Sequence, residues 1–128
     1  MAGSAALELK SVGKRFGDTD VLSDIDLAVE SGEIICLVGR SGCGKSTLLR
    51  IVAGVETPDH GSVCLNGSVV AGSAVFVEPE KRNIGFVFQD YALFPHLTVE
   101  QNVLFGLRSL PKAEARRRAG EMIEHVHL

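Results

Sequence analysis

The sequence predicts an α/β fold, and three observations carry that expectation. Residues Ile34-Ile35-Cys36-Leu37-Val38 form a short, continuous, branched apolar run, the pattern of a strand buried on both faces in a parallel sheet. A glycine-rich loop, residues 39–44, follows at once, and residues 45–53 behind it read as a helix stopped by Gly54. The stretch ahead of this unit holds two strand-like segments, and the stretch after it a hairpin.

The elements follow in order. Leu7, Leu9 and Val12 lead to Lys14-Arg15-Phe16-Gly17, and Asp18-Thr19-Asp20 supplies a polar turn. Ile25, Leu27 and Val29 then alternate as a half-buried strand does. After the loop and its helix, Thr57-Pro58-Asp59-His60-Gly61 reads as a turn. Residues 62–65 and 68–71 flank Asn66-Gly67, a pair suited to a tight two-residue hairpin turn. Residues 74–77 read as a short strand ended by Pro79, and residues 84–88 as another. Thr98-Val99-Glu100-Gln101 fits a capping box ahead of a helix whose apolar face is Val99, Val103, Leu104 and Leu107. Pro111 can open a last helix, with Ala115, Ala119, Met122, Ile123 and Val126 on one face.

Composition narrows the class. At 128 residues, 45% hydrophobic and with a net charge of −3, the chain can build one core and is no strongly basic nucleic-acid binder. No apolar run approaches the roughly 18 residues of a membrane span. The first ten residues lack the pattern of a secretory signal, so a cytoplasmic protein is expected. Cys36, Cys43 and Cys64 are odd in number and lack zinc-site spacing, which favours reduced thiols.

Chemistry concentrates in Gly39-Arg40-Ser41-Gly42-Cys43-Gly44-Lys45-Ser46, which fits the Walker A pattern G-x-x-x-x-G-K-[ST] between a strand and a helix. Glycines let the backbone turn its N–H groups inward around phosphate oxygens. The helix start adds further N–H groups and the positive end of its dipole. Lys45 is placed to reach the β- and γ-phosphates, and the Ser46 hydroxyl to ligate Mg²⁺. Cys43, beside Lys45 at a helix start, is expected to be the most reactive thiol. The D-x-x-G and N-K-x-D motifs of GTPases are absent.

Lys14-Arg15-Phe16-Gly17, residues 21–29, 32–53, 58–67 and 82–107 together resemble the nucleotide-binding subunit of ABC transporters, importer type, closest to ferric-iron, polyamine and sulfate importer ATPases. Gly39 to Thr47 is similar to the family loop G-x-x-G-x-G-K-S-T, Phe88-Gln89 to its Q-loop, and residues 91–99 to the segment after it. The resemblance implies a P-loop NTPase core, with a RecA-like parallel sheet and helices, plus an N-terminal antiparallel β subdomain. It implies that Phe16 stacks on adenine, and that Gly39, Ser41, Gly42, Cys43, Gly44, Lys45, Ser46 and Thr47 bind ATP. Lys45 and Gln89 would serve catalysis, and Ser46 and Gln89 would hold Mg²⁺. Residues 91–97 would lie near the groove that receives a membrane-subunit helix. Implied partners are transmembrane permease subunits and a second copy of the ATPase subunit, on the inner face of the plasma membrane. Residues 76–91 look most like ferric-iron importers, with polyamine, sulfate and sugar importers as alternatives.

The family signature L-S-G-G-Q does not occur in the chain, nor does a Walker B segment with its catalytic glutamate, nor the switch histidine. Residues 1–128 are therefore expected to be the N-terminal part of one ABC ATPase domain, truncated. Such a chain would bind nucleotide without turning it over.

Overall fold

A computed structural model describes residues 5–40, 44–88 and 93–127. The chain divides into two compact units, Met1–Phe86 and Val87–Leu128.

The first unit is built on four antiparallel strands. Strand β1 (Leu7–Phe16) pairs with β2 (Thr19–Val29) from Leu7↔Val29 to Phe16↔Thr19. Its other edge pairs with β3 (His60–Leu65), from Leu7↔Leu65 to Gly13↔His60. Strand β4 (Ser68–Ala71) pairs with β3, giving the order β2-β1-β3-β4. The β3–β4 hairpin turns at Asn66 and Gly67, whose φ values of 49° and 83° are the left-handed pair that a two-residue turn requires.

Helix α1 (Lys45–Ala53) supplies the other half of the core. Its Leu48, Ile51 and Val52 cluster with Leu9 and Val12 of β1, Leu22 of β2, Val63 of β3 and Val70 of β4. Leu48, Ile51 and Val52 are the i, i+3 and i+4 positions of one helix face, whereas Leu9 and Val12 stand three apart on β1, brought into the same core by the register shift between them. The helix ends where Gly54 takes φ 89°, and the N–H of Val55 returns to the Arg50 carbonyl at 2.9 Å.

The second unit is a helix pair. The capping box forms at the start of α2 (Val99–Phe105): the Gln101 N–H donates to Thr98 Oγ1 at 3.1 Å, and the Thr98 N–H to Gln101 Oε1 at 2.9 Å. Helix α3 (Lys112–His125) begins after Pro111 and buries Ala115 and Ala119. Met122 and Val126 of its expected face are half exposed, as is Val99 of α2.

Three expectations are corrected. Residues 34–38 form no strand, and Ile34 and Val38 are 90% and 91% exposed. Residues 84–88 form none either. Residues 74–77 reduce to one bridge, Ala71↔Phe76. The expected parallel sheet is thus not formed among the described residues, and the sheet present is the antiparallel one. The reason is that a central parallel strand exists only by hydrogen bonds to neighbours on both edges. An apolar sequence supplies the propensity for a strand but not those neighbours.

Candidate functional site

The loop between residue 38 and α1 carries the phosphate-binding expectation. Ser41, Gly42 and Cys43 lie outside the described residues, as do Gln89, Tyr91 and Ala92. Of the others, Gly39, Arg40 and Ser46 are exposed, and Lys45 and Thr47 are half-buried. The Lys45 ammonium donates to the carbonyls of Gly39 at 2.6 Å and Arg40 at 3.0 Å. The cation is thus turned back over the loop that precedes its own helix.

Gly44 fixes where that helix begins. It takes φ 96°, and a Cβ there would stand 2.8 Å from the Val21 carbonyl and 2.9 Å from Leu22 Cδ2. Only glycine fits both the conformation and the space. The contact also sets the start of α1 against the start of β2. Val21 lies two residues after Thr19, the partner of Phe16 at the β1–β2 turn. Successive strand residues rise by about 3.3 Å. The aromatic turn and the start of α1 therefore share one end of the sheet.

At that end Phe16 is 47% exposed. Its turn is braced by Arg15, whose Nε donates to the Gly17 carbonyl at 3.1 Å. Lys14, two residues before the ring, is buried. Its ammonium lies 3.1 Å from Glu56 Oε1, 3.5 Å from Asp59 Oδ1 and 5.2 Å from the centroid of the Phe16 ring. Asp59 also accepts the Arg15 N–H at 2.6 Å. That bond, ahead of the Lys14 charge, holds its carboxyl below the ordinary value despite the opposing desolvation.

Sequence reasoning missed three polar residues. Lys14 is the first, and its position two before the aromatic residue on one strand was the available signal. The second is Arg82, which is 5% exposed. Its guanidinium donates to the carbonyls of Val77 (2.8 Å), Ile51 (2.9 Å), Val52 (3.0 Å) and Val70 (3.2 Å). A cation thus caps the C-terminal, negative end of α1, the helix whose N-terminus carries Lys45. Burial pushes the Arg82 pKa down, with Glu78 opposing. The third is Asn102 in the second unit. It accepts the Phe94 N–H at 2.9 Å and donates to the Thr98 carbonyl at 2.9 Å, fixing residues 94–98 onto α2.

No group of three His, Cys, Asp or Glu residues that could hold a metal ion occurs among the described residues. No described helix is long and apolar enough to cross a membrane. Cys36, expected on a buried strand, is exposed.

Residues 22–128 match the family model described as ABC transporter. The sulfate/thiosulfate import ATP-binding protein CysA of Pseudomonas syringae pv. tomato is 50% identical over 122 residues, covering 95% of this chain and 36% of that protein. The spermidine/putrescine import ATP-binding protein PotA of Oleidesulfovibrio alaskensis is 50% identical over 123 residues, covering 94% of this chain and 32% of that protein. The dimeric post-hydrolysis structure of the ATP-binding cassette MJ0796, bound to ADP and Pi, matches with a TM-score of 0.80 at 29% identity. That match covers 95% of this chain and 57% of the cassette. The chain thus spans 36% and 32% of the two curated relatives' lengths. Its backbone follows the cassette fold, although residues 34–38 and 84–88 lack strand pairing. Ferric iron, the substrate expected from residues 76–91, is in neither relative's name.

Proposed function

This chain belongs to the ABC transporter family, and from that premise we propose that it is the ATP-binding part of an importer ATPase, residues 1–128 forming part of one ATP-binding domain. The observation that carries this reading is Lys45 turned onto the Gly39 and Arg40 carbonyls, at the sheet end that also holds Phe16. The same groups suit a nucleotide: a cation and helix-start N–H groups for the phosphates, and a half-exposed ring for the base. Gly39, Ser41, Gly42, Cys43, Gly44, Lys45, Ser46 and Thr47 would surround the phosphates, and Phe16 would stack on adenine. The Ser46 hydroxyl would hold Mg²⁺, which when bound supplies positive charge that offsets that of the phosphates; the family resemblance assigns Gln89 a Mg²⁺-binding role as well.

In the whole protein, ATP binding and hydrolysis would drive solute uptake through permease subunits, with a second ATPase copy as partner, on the cytoplasmic face of the membrane. The relatives' names favour sulfate/thiosulfate or spermidine/putrescine as the solute. A second reading, binding without turnover by these 128 residues, is favoured by the absence from them of L-S-G-G-Q and a Walker B glutamate. Calorimetric titration of the chain with MgATP tests the first reading. Charge-assisted bonds are worth about 1.5–3 kcal/mol, so Lys45→Ala should weaken binding by about tenfold or more. Parent-like affinity of that variant would overturn the assignment. Phosphate release abolished by Lys45→Ala would overturn the second reading.

A further inference from the structure

We propose that Lys14 is a positioning residue for the nucleotide base: it covers one face of the Phe16 ring and holds the other toward the base. The proposal rests on the reading of Phe16 as the adenine-stacking ring.

Lys14 is an unusual place for an ammonium. Its side chain is 10% exposed, and burying that charge is costly unless partners offset it. Glu56 and Asp59 are those partners, and both come from the segment between α1 and β3. Asp59 holds all three residues before the ring: its N–H donates to the Gly13 carbonyl at 2.8 Å, and its carboxylate takes the Lys14 ammonium and the Arg15 N–H. The Lys14 ammonium is therefore fixed from two sides, and its third neighbour is the ring at 5.2 Å.

A cation over one face of an aromatic ring is attracted by the ring's quadrupole and restrains its rotamer. It also draws electron density from the opposite face, which improves that face as a partner for an electron-rich purine. A ring held in the competent orientation binds without the loss of affinity that a partly populated conformer imposes. Lys14 thus acts on the base and not on the phosphates, which belong to Lys45 and the loop.

The test compares affinities for MgATP and for magnesium tripolyphosphate, which has phosphates and no base. It uses the 128-residue chain and its variants, with folding monitored by far-UV circular dichroism. Lys14→Met should weaken ATP binding about threefold and leave tripolyphosphate unchanged, and Lys14→Arg should restore ATP binding. Equal weakening of both ligands, or of neither, would overturn the proposal. Phe16→Ala separates the two layers of inference. If it fails to weaken ATP relative to tripolyphosphate, the stacking reading itself is wrong. If it does so while Lys14→Met does not, stacking stands and the positioning role falls. Should Lys14→Met not fold, Glu56→Gln decides. A selective loss for ATP supports the role, and parent-like selectivity overturns it.

Discussion

Replacing Arg82 with methionine keeps length and apolar bulk and removes five donors. Four carbonyls receive the guanidinium at 2.8–3.2 Å, and charge-assisted bonds are worth about 1.5–3 kcal/mol each. A plain sum would give about 6–12 kcal/mol, which overstates the case for two reasons. The Val70 carbonyl keeps the Val77 N–H at 2.8 Å and the Ile51 carbonyl keeps the Gly54 N–H at 3.2 Å. The guanidinium also suffers desolvation in the folded state, which is why its pKa is lowered. The net loss should be about 3 kcal/mol, within the range for breaking a buried charged contact. With urea slopes of about 1–3 kcal/mol per molar, the unfolding midpoint should fall by about 1–3 M. Arg82→Lys presents one compact charge in place of a planar fork and should lose about 2 kcal/mol. Urea titration followed by circular dichroism measures both. A methionine variant within about 0.5 kcal/mol of the parent, or a lysine variant equal to it, would refute the view that the guanidinium organises this part of the fold.

Gly54→Ala places a Cβ at φ 89° and 2.8 Å from Arg82 Nε, so it should cost about 1–2 kcal/mol by urea titration; no change would show that the helix end can relax. Thr98→Ala removes the capping box of α2 and should cost about 1 kcal/mol, read as faster hydrogen exchange in Val99–Phe105; unchanged exchange there would count against the cap. The Asp59 carboxyl titrates below its ordinary value of 3.8, so its stabilisation is present above that value and is lost as pH falls through the lower folded one. Asp59→Asn should therefore narrow the gap in stability between pH 6 and pH 3, and an unchanged gap would count against the Arg15 and Lys14 contacts.

Features set by local physics were legible in the sequence. Helix α1, its stop at Gly54, the Asn66-Gly67 turn and the Thr98–Gln101 box depend on backbone preferences and partners within a few residues, and all appear as expected. The failures were non-local. Residues 34–38 read as a buried strand because they are branched and apolar, yet strand formation is decided by neighbours that an isolated segment does not reveal. Arg82 and Lys14 have the composition of surface residues, and their burial follows from packing across 30 and 42 positions, to Val52 and Glu56 respectively. At the site, Lys45 could be placed from the motif alone. The meeting of its helix with the aromatic turn could not, because the contact runs from Gly44 to Val21 and Leu22.

The strand order also sets a timetable for folding. The β1–β2 and β3–β4 pairs are each closed by two residues, and hairpins of that kind form in about 1–10 μs. The seam between β1 and β3 joins Leu7 to Leu65, a closure across most of the first unit whose entropy must be met before its contacts stabilise anything. Two hairpins and a nascent helix are thus expected to form first. Pairing β3 with β1, which gathers Leu9, Val63, Ile51 and Val52 into one buried cluster, is expected to be the late and slow event that commits the unit to its native state.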